Sequence, residues 1–160
     1  MKKQFLTTLL FCAVTLLIAQ ENRLTPEALW SFGRVSLYDV SPDEQHVLYG
    51  VTSYNIADNK GSRDLYLIKK EGQDKGTAKQ LTKTPESEGD AQFRPDGKKI
   101  GYLKGGYLWE MNPDGSEQNQ VSTFKMNGFK YSPTGKNILY IQDVKYKQTT
   151  KEMYPDLPKA

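Results

Sequence analysis

Arg94-Pro95-Asp96-Gly97-Lys98-Lys99-Ile100-Gly101-Tyr102-Leu103-Lys104-Gly105-Gly106-Tyr107-Leu108-Trp109-Glu110-Met111 reads as turn, strand, turn, strand. Pro95 presets φ for a tight turn, and Asp96-Gly97 complete it. Ile100 and Tyr102 then fall on one face of a strand. Gly105-Gly106 supply a two-residue hairpin, from which Tyr107–Met111 returns. Upstream, Ala91-Gln92-Phe93 forms a strand before the first turn. Downstream, Asn112-Pro113-Asp114-Gly115 turns the chain into a last strand near Gln120-Val121-Ser122. The unit is four antiparallel strands.

The unit recurs. Ser41-Pro42-Asp43-Glu44-Gln45-His46-Val47-Leu48-Tyr49 is an earlier copy and Ser132-Pro133-Thr134-Gly135-Lys136-Asn137-Ile138-Leu139-Tyr140 a later one, their prolines 53 and then 38 residues apart. A period near 40 with several strands per unit suggests β-propeller blades. In the first copy, Asp64–Ile68 is the third strand and Lys79-Gln80-Leu81-Thr82 the fourth. Its 13 extra residues fall mostly in two polar stretches, 55–63 and 71–76, expected to be surface loops. Repeat register places Val47, Tyr49, Ile100, Tyr102, Ile138 and Tyr140 in the core and His46 on the surface. The third copy leaves the pattern at Lys145. The expected class is all-β: four-stranded antiparallel blades over about 35–82, 90–122 and 127–160, the last incomplete. Two blades and part of a third do not close a propeller, so the chain is expected to be the front of a longer protein.

A short helix over 24–34 precedes the blades, with Thr25 as N-cap, Pro26 at its first position and Gly33 to close it. Residues 1–20 read as a secretory signal peptide: basic Lys2-Lys3, then an uncharged, mostly apolar run of 15 residues from Phe5 to Ala19. That run is short for a bilayer span, which takes about 20 residues. Cleavage falls after Ala19 or Gln20, although Leu17 or Ile18 fits the −3 position poorly. Phe11 before Cys12 argues against lipoprotein processing. Export predicts a periplasmic or secreted chain without cysteine, hence with neither disulfide nor thiolate. Acidic residues number 19 against 22 basic ones, and no basic block of five occurs. That balance argues against nucleic-acid binding and, after signal removal, against membrane binding.

No serine has glycine at both −2 and +2, as a hydrolase nucleophile elbow requires. The single histidine, His46, aligns with Lys99 and Asn137 as a polar residue after a turn. Glu86, Glu88 and Asp90 read as a solvated acidic connection, with cation or substrate-amine binding as the alternative. Asp96 and Asp114 fit turn chemistry rather than metal ligation. Trp109, Tyr66, Tyr102 and Tyr140 fit inter-blade core rather than a ligand-stacking row. Gly105-Gly106 lacks the following helix of a phosphate loop. The residues therefore point to no catalytic residue, no metal and no cofactor in this chain.

The second unit, with Arg94-Pro95-Asp96-Gly97, Leu108-Trp109, Asp114-Gly115 and Val121-Ser122, resembles the TolB-type blade. More of the chain resembles secreted bacterial peptidases of the prolyl oligopeptidase family. The resemblance is carried by Leu24-Thr25-Pro26-Glu27, Arg34-Val35-Ser36, Ser41-Pro42-Asp43, Lys145-Tyr146 and Lys151–Ala160. Glu44 and Thr134 depart from the turn pattern. The resemblance implies a propeller followed by an α/β-hydrolase domain with Ser, Asp and His. It would be a serine exopeptidase of dipeptidyl- or acylaminoacyl-peptidase type. This chain would be its non-catalytic part, gating and shaping access for short peptides. Short peptides would then be the partners, through the hydrolase domain, which could also support a homodimer. The alternative is a non-enzymatic periplasmic TolB-like platform for proteins.

Overall fold

The computed structural model describes residues 24–71, 76–145 and 147–156. The signal segment with Cys12, and the end of the chain from 157, lie outside them.

Helix α1 covers Pro26–Ser31, and the Thr25 hydroxyl accepts a hydrogen bond from the Ala28 N–H at 3.1 Å. It is shorter than 24–34 because Phe32 is already extended and Arg34 opens a strand. Gly33 does not close it in a left-handed conformation. A Cβ there would stand 2.8 Å from Val51 Cγ1, so glycine serves close approach to the sheet. Trp30 meets Tyr54 edge-on at 5.2 Å, and the Arg34 guanidinium lies 4.5 Å from both rings.

The first antiparallel sheet runs β1 (Arg34–Val40), β2 (His46–Asn55), β3 (Lys60–Lys69), β4 (Ala78–Gln80). The second runs β5 (Glu88–Phe93), β6 (Ile100–Lys104), β7 (Tyr107–Met111), β8 (Asn119–Gln120). Strands β9 (Gly128–Tyr131) and β10 (Ile138–Ile141) pair separately, and a short helix α2 (Thr150–Met153) follows. Gly105 and Gly106, at φ 61° and 85°, make the expected hairpin. One loop expectation is corrected: most of 55–63 is strand. Thr52–Asn55 pair with Arg63–Lys60, so the insertion lengthens a hairpin.

The three proline turns are superimposable in their bonding. Glu44, Gly97 and Gly135 each donate an N–H to Ser41, Arg94 and Ser132 carbonyls at 2.8 Å, and all three have φ near +60° to +70°. Glu44 is the only non-glycine of the three. Replacing it by Gly (Glu44→Gly) is expected to stabilise the turn by about 0.5–1 kcal/mol, since the left-handed cost of a side chain exceeds glycine's extra unfolded entropy. Slower amide exchange at Ser41 and Glu44 in the variant is the check. The closing ends also match: the Thr82 hydroxyl accepts the Leu65 N–H and the Ser122 hydroxyl the Leu108 N–H, each at 2.9 Å.

Two cores lie between successive sheets. Leu48, Leu65 and Leu67 meet Phe93, Ile100, Tyr102 and Met111. On the far side of the second sheet, Leu108 packs with Met126 and Phe129. Ile100 and Tyr102 are buried as expected, and burial pushes the Tyr102 hydroxyl up to about 12. Val47 and Tyr49 are only half-buried, Ile138 likewise, and Tyr140 is exposed. The reason is register against neighbours. The face of the first sheet carrying Val47 and Tyr49 also carries Val35 and Leu37, which are 69% and 70% exposed, while its opposite face, led by Leu48, meets the second sheet. Side chains of the inner strands tie the sheets together. The Asp39 carboxylate accepts the Phe93 N–H at 2.8 Å, and Gln92 donates to the Phe129 carbonyl at 2.8 Å.

Candidate functional site: a groove across the inner strands

The site is assembled around a glycine inside a strand. Gly50 sits in β2 beneath two long side chains: a Cβ there would lie 2.7 Å from Tyr38 Cε2 and 2.9 Å from Arg63 Cδ. With hydrogen at that position, Tyr38 of β1 and Arg63 of β3 lie side by side over the sheet. Arg63 Nε donates to Thr52 Oγ1 and Nη1 to Tyr38 Oη, both at 2.9 Å. Both acceptors are neutral, and no carboxylate among the described residues forms an ion pair with this guanidinium.

Across from it, β5 carries a bulge between Gly89 and Gln92, and Asp90 takes φ 47°. Bulges of this kind re-aim side chains. Here the bend directs Asp90 Oδ2 to the Phe129 N–H at 2.8 Å. Tyr38, Arg63 and Asp90, with Asn127, Phe129 and Leu139, line a groove of about 450 Å³. It holds a fixed cation with neutral partners, a carboxylate and apolar walls. It can bind and orient an anionic or zwitterionic group.

The residues singled out from sequence are distributed differently. Glu86 is exposed, as a solvated connection requires. Glu88 corrects that reading: it is fully buried, accepting from Thr82 Oγ1 at 3.0 Å and Thr84 Oγ1 at 2.6 Å, and burial raises its carboxyl above the usual range despite those bonds. Asp96 accepts from Arg94 and from the Lys98 N–H at 3.0 Å. Asp114 accepts from the Ser116 hydroxyl at 2.6 Å and from its N–H. Both carboxyls are held below their usual range, first by those side-chain bonds. His46, expected on the surface, is instead half-buried beside Asp43, 3.9 Å away; it lies in β2 four residues before Gly50 but does not line the groove. Of the four aromatics, Tyr102 is fully buried in the core and Trp109 packs against that core. Trp109 is half-buried with Lys104 Nζ 3.8 Å above its ring, Tyr66 stacks on Tyr49, and Tyr140 lies on Phe124. The structure thus brings none of these aromatics into a stacking row.

Arg63 and Tyr38 were not legible as a pair. They are 25 residues apart, and Arg63 lies in the stretch that reads as a loop. The one available signal was Gly50 within the apolar run Val47–Val51, a mark of close approach.

No protein-family model matches the chain. It is 32% identical to "Dipeptidyl-peptidase 5" of Porphyromonas endodontalis over 147 residues, which is 88% of this chain and 21% of that protein. It is 37% identical to the protein of the same name from Porphyromonas gingivalis over 152 residues, 87% of this chain and 21% of the relative. The chain therefore spans about a fifth of the length of these relatives. Among solved structures, a putative TolB from Agrobacterium tumefaciens matches 67% of this chain and 38% of its own, with TM-score 0.52 and 21% identity. An acylaminoacyl peptidase from Pyrococcus horikoshii matches 74% of this chain and 18% of its own, with TM-score 0.60 and 18% identity. These structural likenesses concern the fold, and both agree with the four-stranded antiparallel sheets. The chain has the fold of propeller blades and is homologous, over 88% and 87% of its length, to proteins named dipeptidyl-peptidase 5.

Proposed function

We propose that this chain is the non-catalytic propeller portion of an exported serine exopeptidase of dipeptidyl- or acylaminoacyl-peptidase type, and that it gates and shapes access for short peptides. The homology to proteins named dipeptidyl-peptidase 5, over nearly nine-tenths of the chain, carries the reading. The signal-like opening from Lys2 to Ala19 supports export, and the sequence without a Gly-x-Ser-x-Gly elbow supports a catalytic centre supplied by other residues. Acyl transfer needs a nucleophile, a base and oxyanion donors converging on one carbonyl. The inner-strand groove offers recognition groups instead.

The test compares residues 21–160 with the full-length gene product, using a fluorogenic dipeptide substrate and a serine-directed phosphonate label. The short chain is expected to give neither turnover nor labelling, and the full-length product both. Activity in the short chain would overturn the proposal. An inert full-length product would favour a TolB-like binding platform, the fold seen in the Agrobacterium structure.

A further inference from the structure

We propose that the groove at Tyr38, Arg63 and Asp90 binds the free C-terminal carboxylate of a short peptide, with Arg63 as its anchor. This rests on the peptidase reading and gives the access role a chemical basis: the propeller reads the trailing end of the substrate and so selects short peptides.

Three observations converge. First, the Arg63 guanidinium is half-buried and held in one orientation by Thr52 and Tyr38, yet no carboxylate among the described residues neutralises it. A half-buried guanidinium with neutral partners is incompletely compensated, and a carboxylate is the complement its planar donor set fits best. Second, donors remain. Nε and one Nη1 hydrogen are engaged, which leaves the second Nη1 hydrogen and both Nη2 hydrogens for a ligand. Tyr38 Oη accepts from Arg63, so its own O–H is available to donate beside it. Third, no side chain stands over the pair from Gly89, which flanks it: a Cβ there would stand 3.5 Å from Arg63 Nη1 and 3.6 Å from Tyr38 Oη, so glycine keeps side-chain bulk off both groups.

The rest of the groove suits the remainder of a peptide. Phe129, Leu139 and Ile141 provide apolar wall, and Asn127 offers amide bonding. Asp90 Oδ2 accepts from the Phe129 N–H, and Asp90 lines the same groove as Arg63. The two charges together disfavour an isolated inorganic anion relative to a peptide, whose neutral backbone and side chains extend away from its carboxylate.

The experiment uses the full-length product and matched tri- and tetrapeptides bearing either a free carboxylate or a C-terminal amide. The wild type is expected to bind the free acids about tenfold more tightly than the amides, as befits a charge-assisted contact. Arg63→Gln should abolish that preference by raising KM for the acids with kcat little changed, leaving the amides unaffected. Gly89→Ala is the second variant. Its Cβ meets neighbours only at ordinary contact distance, so the fold is retained while the approach narrows. It should weaken the acids several-fold with an unchanged melting temperature. Equal losses on acids and amides, or no wild-type preference, would overturn the proposal. Displacement of the acids by millimolar inorganic phosphate, with wild type and Arg63→Gln differing equally for both, would assign a simple anion site and overturn the peptide claim. Direct calorimetric titration of the same peptides separates the two readings. Acid-selective binding by a product that hydrolyses nothing would defeat the peptidase assignment and keep the site.

Discussion

Gly101→Ala is expected to cost about 3 kcal/mol of stability, among the largest effects of any single methyl group in this fold. The added Cβ would overlap Tyr131 Oη and stand 3.0 Å from Phe129 Cζ. Neither neighbour can retreat freely. Phe129 is core, and Tyr131 Oη donates to Glu110 Oε1 at 2.6 Å, in a network that includes Arg94 at 3.4 Å from the other carboxylate oxygen. Burial, and then the Glu110 carboxylate, hold the Tyr131 hydroxyl protonated well above its usual range, so it stays a donor throughout the physiological range. The methyl therefore forces either a shift of the third sheet or loss of this bond. Urea denaturation of wild type, Gly101→Ala, Tyr131→Phe and the double variant checks the claim. Tyr131→Phe removes the atom closest to the new methyl, so the double variant should lose clearly less than the sum of the singles. Strict additivity would refute the steric account. The repeat explains why the position is sensitive. Leu48 occupies the corresponding place in the first sheet and is fully buried against the second, whereas Gly101 yields its space to a tyrosine from the next unit.

Glu88→Ala is expected to cost about 2–3 kcal/mol, because it removes the acceptor for two threonine hydroxyls and leaves a cavity between the sheets. Glu88→Gln tests the charge separately. Burial raises the Glu88 carboxyl, so its protonated form favours folding. That contribution is complete below the unfolded value, near 4.5, and is lost as pH rises through the raised folded value. Glutamine does not titrate. The stability of Glu88→Gln relative to wild type should therefore improve as pH rises from the unfolded value near 4.5 through the raised folded value, and level off above it. A pH-independent difference, or one that favours wild type at the higher pH, would show that the carboxylate is held charged by its threonine bonds and Lys104.

Much of this protein was set by local sequence. Turns at Pro42, Pro95 and Pro133 and the Gly105-Gly106 hairpin form as read, because each depends on φ preferences and backbone bonds within a few residues, whereas the closing Thr82 and Ser122 accept an N–H from Leu65 and Leu108 on the adjacent strand, 17 and 14 residues away. The four-stranded unit followed from their spacing, as did the resemblance to propeller proteins.

Burial and the groove did not follow, and the physical cause is the same for both. Repeat register assigns Val47, Ile100 and Ile138 to one equivalent face, but a face is buried only where another sheet lies on it. Ile100 has the first sheet against it, whereas Val47 shares its face with Val35 and Leu37, which the described residues leave exposed. Glu88 likewise looked like part of a polar connection until the packing of Thr82 and Thr84 enclosed it. The groove depends on Gly50 admitting Tyr38 and Arg63 over one strand, and on a bulge turning Asp90 toward Phe129. Those contacts join residues distant in the chain, and no local preference encodes them. Sequence alone determined the blade; only the stacking of blades decided which side chains are core and which face the groove.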